Sequence, residues 1–274
     1  SPFYNYYLKV IQHLRIFLSL GVTNPIYPLS IKGIIDEEKD DKSNNSVDIF
    51  YIISPRISKL PKVLQPSEML FTFVDISDKF ETILRNWFEK NKILEPVYFL
   101  YDAVLYNPNE YLENQFLNLI QAIESFHRRI YEGTYVSKDE YKEIYTILIN
   151  SIPNCVRQDL RKHLSQHLKY GNEFSLRKRL KEIFDKHGEI LNIFIKNKED
   201  FIDKVINERN YLTHYPKESE KHIVAEEEFY RINLTLRLIL EICLLTEIGF
   251  SSEKLESLFQ KNEKYKLIKG FEDK

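Results

Sequence analysis

Glycine is scarce, with 7 in 274 residues, and methionine and tryptophan occur once each. So few glycines leave little room for an open-backbone loop that cradles phosphates, and neither GxGxxG nor a P-loop pattern is present. HExxH and GxSxG are missing as well, so zinc peptidase and serine hydrolase chemistry have no motif behind them. The two cysteines, Cys155 and Cys243, form no CxxC and no Cys/His cluster at ligand spacing. They read as buried thiols of a reducing cytoplasm rather than as a disulfide, and no metal or cofactor is expected. No apolar run reaches bilayer length: the longest, from Ile239 to Phe250, is interrupted by Glu241 and Glu247. No charged-then-apolar leader opens the chain, which passes from Ser1-Pro2 directly into an aromatic amphipathic pattern. That opening reads as a piece of a longer cytoplasmic protein with no membrane partner. A net charge of -2 excludes a uniformly basic nucleic-acid coat, so any polyanion must meet a local patch.

What is present is a chain that is 43% hydrophobic, enough to bury a sizeable core in one large domain or two small ones. Its first part has mixed signals. YNYYLKVIQHLRIFLSLG has apolar residues at helical spacing and predicts a helix stopped by Gly21. IYPLSIKGII and VDIFYIIS predict two strands around the charged loop DEEKDDKSNNS, and MLFTFVDI a third. Asp78 is placed to cap a helix over KFETILRNWFEKN. Beyond Pro108 the strand signals fade, and apolar residues at i, i+3, i+4 spacing predict helices near 109–132, 138–150, 154–170, 174–196, 198–214, 219–248 and 251–262. The segment EEEFYRINLTLRLILEICLLTEI is apolar over most of its surface and predicts a central bundle helix. The expected fold class is therefore mainly α, a helical bundle preceded by a smaller mixed α/β segment. Boundaries fall at 1–107, 108–250 and a short helical tail at 251–274.

The segment ERNYLTHYP, Glu208 to Pro216, places an arginine, an amide, a threonine and a histidine at a helix end. Within a continuous helix Arg209 and His214 would point about 140° apart. Pro216 disfavours helical geometry in the residue before it, so the helix is expected to end near 213–215 and turn both side chains into one cleft. A helix C-terminus favours a cationic imidazole, and histidine is suited to moving protons near neutrality. An arginine fork binds two phosphate oxygens and stabilises charge growing on them. The same spacing also occurs at Arg157 to His163 and Arg161 to His167, but inside one uninterrupted helix, and those residues read as surface and groove positions.

The combination of IQAIESFHRRIYEG (Ile120 to Gly133), a basic helical middle, ERNYLTHYP and a following apolar helix resembles an ApeA-like HEPN domain over roughly 109–250. The preceding region is similar to the C-terminal part of the domain before HEPN in such anti-phage proteins. The resemblance implies a helical bundle that dimerises and a metal-independent endoribonuclease with an R-x4-6-H motif at the dimer cleft. His214 is then the proton-transfer residue, Arg209 the phosphate clamp and Asn210 the residue that orients them. Glu124 matches an acidic residue that faces the site, and His127, one turn further on, falls near the same cleft as an RNA-binding residue; the other reading of both is a buried polar contact that fixes the helix pair. Structured RNA such as tRNA is the implied substrate, cleaved by its neighbouring 2′-hydroxyl in phage defence after a phage-derived trigger.

Charge is consistent with an RNA partner. From Arg157 to Lys186 there are nine Lys or Arg against four Asp or Glu, including LRKRLK with Arg177, Lys178 and Arg179. A solvated helix face accounts for the run equally well. Tyr211, between the motif residues, is placed to stack on an unpaired base. The alternative reading is a non-catalytic HEPN scaffold for dimerisation or RNA binding, although retention of both Arg209 and His214 favours the enzyme.

Overall fold

The computed structural model describes residues 6–34, 46–50, 63–215 and 224–270, and the protein is mainly α. A π-helical turn at Tyr7–Ile11 leads into α1, Gln12–Val22, which ends with Thr23 in a left-handed conformation (φ 58°). Gly21 therefore does not stop the helix. It lies inside α1, and a Cβ there would meet Cε2 and Cζ of Phe71 at 3.0 Å, so glycine serves a close ring contact.

Strand β1, Lys32–Ile34, pairs antiparallel with β2, Ser46–Asp48, in the register Lys32↔Asp48 and Ile34↔Ser46. The predicted loop between them and the end of VDIFYIIS lie outside the described residues. MLFTFVDI is not a strand. Its second half is a short helix, α2 (Phe73–Ile76), started by Thr72, whose backbone N–H and hydroxyl both donate to Asp75 Oδ2 at 2.9 and 2.8 Å. That local reciprocal arrangement outweighs the β-leaning composition of the run. Asp78 does not cap the next helix, because the cap position is Lys79 and has no side-chain hydrogen bond.

Helix α3 runs through Phe80–Tyr106, well past the predicted Asn91, and carries Pro96 in its interior. Helix α4, Leu112–Ile130, returns along α3 and also packs against α9, Glu226–Glu247. The predicted central helix is α9: from Ile232 to Leu245 every residue is buried. Within it the buried Arg237 and Glu241 pair at 2.8 Å. Tyr101 of α3 donates to the same carboxylate at 2.6 Å, and Arg237 reaches the Thr23 carbonyl at 2.9 Å. One polar cluster thus joins the end of α1, α3 and the bundle's centre.

Helices α5 (Lys138–Asn150) and α6 (Gln158–Leu168) bury no residue and form an outlying pair, held by tyrosine hydroxyls donating from Tyr141 to Leu168 O and from Tyr145 to Ser165 O. Helix α7 spans Leu176–Leu191 with a non-helical backbone at His187 (φ -116°, ψ 18°), and α8 spans Lys198–His214. Helices α10 (Ser252–Lys261) and α11 (Glu263–Gly270) close the described chain, both within the segment read as a helical tail. Cys243 is buried as expected, whereas Cys155 lies in the turn before α6 and is exposed. Among the described residues no helix is long and apolar enough to cross a membrane.

Candidate active site at the end of α8

Helix α8 begins where the Asn197 side chain accepts the Asp200 N–H at 3.1 Å, with Glu199 and Asp200 suited to the positive end of the helix. Phe201, Ile202, Val205, Glu208 and Leu212 form its buried face. Burying that face leaves Asn210, Thr213 and His214 exposed and Arg209 half-buried along the last turns. Arg209 donates to Asn210 Oδ1 at 3.4 Å, a long contact, and the Thr213 hydroxyl donates to the Arg209 carbonyl at 2.6 Å.

The helix ends at the predicted place, but not in the predicted way. It includes His214, and the first departure is Tyr215 in the left-handed region (φ 44°, ψ 48°), whose N–H bonds the Tyr211 carbonyl at 2.6 Å. Pro216 lies outside the described residues. With both motif residues in one helix, their directions stay about 140° apart. A single chain therefore does not turn Arg209 and His214 into one cleft. Tyr211 is half-buried against the core, with its ring 5.3 Å from that of Tyr215 in an edge-on contact.

The other predicted residues gather elsewhere. His127 of α4 is fully buried, between Arg179 Nη1 (3.0 Å from Nδ1) and Glu182 Oε2 (2.8 Å from Nε2). Burial holds its imidazole below the usual range, against the opposing pull of Glu182. Arg179 is 1% exposed and also donates Nε–H to the Phe174 carbonyl at 3.1 Å. Its Nη2 lies 3.7 Å from Glu173, which accepts from Arg128 at 2.7 Å. Glu124 is half-buried and within electrostatic reach of Arg179. His127 and Arg179 are thus internal rather than RNA-facing. Among the described residues no hydrogen bond joins this network to Arg209 or His214.

The rest of the basic run is also largely engaged. Arg177 pairs with Asp203 at 2.5 Å, Lys181 with Glu199 at 2.8 Å, and Lys178 sits 5.4 Å from the Phe174 ring centre. The two alternative Arg/His spacings stay on α6 and its entry. Arg157 binds Asp159, Arg161 binds the Ile152 carbonyl, and the His163 and His167 rings are 4.3 Å apart. Among the described residues no group of three or more His, Cys, Asp or Glu is placed to hold a metal ion.

A residue missed from sequence is Glu208, the neighbour of Arg209. It is 3% exposed and accepts the Val224 N–H at 2.7 Å, and burial raises its pKa. The available signal was its position on the apolar stripe of α8, one turn from Val205 and from Leu212.

A family model for Apea-like HEPN matches residues 117–254, half of the chain and the whole of α5 to α9. The chain belongs to the Apea-like HEPN family. A second model, ApeA N-terminal domain 1, matches residues 5–87, ending inside α3. Comparison with curated proteins and with solved structures gave no match. The HEPN match includes ERNYLTH and the central helix α9, and membership supports a nuclease-type role in defence in general terms.

Proposed function

We propose that this HEPN protein is a metal-independent endoribonuclease of phage defence that cleaves structured RNA, tRNA being the leading substrate. The observation that supports the reading is the exposure of Asn210 and His214, with Arg209 half-buried, along the last turns of α8. Because one helix holds Arg209 and His214 about 140° apart, the complete site is formed by two copies of the chain whose α8 ends meet across a two-fold axis. Arg209 then clamps the non-bridging oxygens of the scissile phosphate. His214 moves the proton between the attacking 2′-hydroxyl and the leaving oxygen, one copy acting as base and the other as acid. Asn210, already in contact with Arg209, orients the guanidinium. The ApeA N-terminal segment restrains the nuclease until a phage-derived trigger acts.

The test is incubation of the purified chain with end-labelled total tRNA in EDTA, with its oligomeric state measured in the same buffer. Fragments with 2′,3′-cyclic phosphate ends from a dimer support the reading. An intact RNA pool with a stable dimer favours the scaffold role.

A further inference from the structure

Glu208 is an acid that the fold buries at some cost. It is 3% exposed, burial raises its pKa, and among the described residues it has no ion-pair partner. Lys204, one turn earlier on α8, is bonded to Asp200 and Glu228 instead, at 2.8 and 2.6 Å. Glu228 adds a repulsive negative charge near Glu208. A leucine at this position would continue the apolar stripe of Val205 and Leu212 without those penalties. Retaining a carboxylate therefore needs a reason other than packing.

Its one hydrogen bond supplies that reason. Glu208 Oε1 accepts the backbone N–H of Val224 at 2.7 Å, and Val224 packs against the core just before α9. Glu208 lies six residues before the end of α8, about 9 Å along the axis. Val224, the first described residue after Tyr215, is held at the turn of α8 that carries Arg209. The bond ties the two ends of the segment that contains Arg209, Asn210 and His214. A helix's final turn frays readily, and a tether between residues on either side of it opposes fraying.

We propose that Glu208 is the positioning residue of the motif, a clasp that fixes the last turn of α8 and so sets His214 relative to Arg209. The inference rests on the nuclease reading above for its catalytic consequence and on the Glu208–Val224 bond for its geometry. The essential feature is an acceptor oxygen at the right reach, not the negative charge.

Two variants separate the possibilities. Glu208→Gln keeps an oxygen that accepts the Val224 N–H, and Glu208→Ala removes it. The clasp predicts that Ala lowers kcat for RNA cleavage on the order of 10²-fold, the scale of a roughly 1 Å misplacement. KM in that variant stays within about threefold, and Gln retains kcat within a similar factor. Amide exchange at Val224 accelerates by about tenfold or more in the Ala variant and not in Gln. If Ala fails to fold, Glu208→Asn, one methylene too short to reach Val224, takes its place in the comparison. Parental kcat in the Ala variant, or equal loss in Gln and Ala, overturns the positioning role. Unchanged Val224 exchange overturns the clasp itself. Failure of the parent chain to cleave any RNA overturns the nuclease reading and the catalytic half of this inference, and leaves the exchange measurement to decide the clasp.

Discussion

Arg179 donates from Nη1 to Nδ1 of His127 at 3.0 Å in the protein interior. Arginine has no acceptor, so His127 must present a bare Nδ1 and carry its proton on Nε2, from which it donates to Glu182 at 2.8 Å. The histidine is neutral in the fold and is held by a buried cation on one side and a carboxylate on the other. Gly133 completes the enclosure: it sits at φ 74°, and a Cβ there would come within 2.6 Å of Arg179 Nη1. Arg179→Ala is expected to cost about 3–5 kcal/mol, the scale of breaking a buried ionic network by removing one partner. Gly133→Ala is expected to cost about 1–3 kcal/mol from overpacking, with backbone strain added. Urea denaturation measures both, and a loss below about 1 kcal/mol for Arg179→Ala would place the guanidinium outside the core.

The neutral imidazole makes stability depend on pH. Burial lowers the pKa of His127 in the folded state, and that of His187 likewise, whereas an unfolded histidine titrates near pH 6.5. As pH falls through about 6.5, the unfolded chain binds protons that the fold refuses, so stability falls in that direction and is fully present above it. His127→Gln should flatten this acid-side fall relative to the parent, leaving the share of His187. Denaturant midpoints of both proteins at pH 7.5, 6.5 and 5.5 test this. Parallel pH dependence in the two would show that His127 is not held neutral.

Helix positions were legible wherever a cap and a periodic stripe agreed. Ser137 accepts from Glu140 N, and Asn197 from Asp200 N, and the helices that they start, α5 and α8, fall where the sequence placed them. MLFTFVDI misled because its β-leaning residues conceal Thr72-x-x-Asp75, a helix start written in four residues. At the site, Arg209, Asn210 and His214 were legible as a motif, whereas their angular separation depended on whether the helix stopped before or after His214. Three of the charged or titratable residues that are buried carry one shared signal of burial in the sequence. Arg179 lies on the stripe of Leu176, Leu180 and Ile183, His127 on that of Leu119, Ile120 and Ile123, and Glu208 on that of Val205 and Leu212. Counting charges along LRKRLK gave an electrostatic patch; counting its positions around a helix shows one of its arginines facing inward.

If RNA meets this basic surface, its cations contribute unequally. Asp203 already neutralises Arg177, whereas among the described residues Lys178 meets only the Phe174 ring and no carboxylate. Lys178→Ala is expected to lower RNA affinity and reduce the salt slope by about 0.7 per lost phosphate contact to a single strand, with Arg177→Ala changing either less. Fluorescence anisotropy across a potassium chloride series reads this, and the reverse ranking would remove Lys178 from the interface.

Tyr211 offers a separate handle on substrate shape. Half-buried against the core and edge-on to the exposed Tyr215, it lies about one turn of α8 before His214. Tyr211→Ala is expected to weaken binding of RNA with unpaired bases by about 1–3 kcal/mol and that of a fully paired duplex much less. Equal loss for both RNAs would assign Tyr211 to packing alone.

On the proposed function, His214 performs metal-independent RNA scission. The most direct measurement compares the parent chain with His214→Ala on end-labelled RNA in EDTA and identifies the chemical ends of every fragment. Fragments with 2′,3′-cyclic phosphate ends are expected from the parent, with a loss of at least about 10²-fold in the variant, whose exposed substitution leaves the fold intact. Equal cleavage by both, or cleavage that EDTA abolishes, would contradict it.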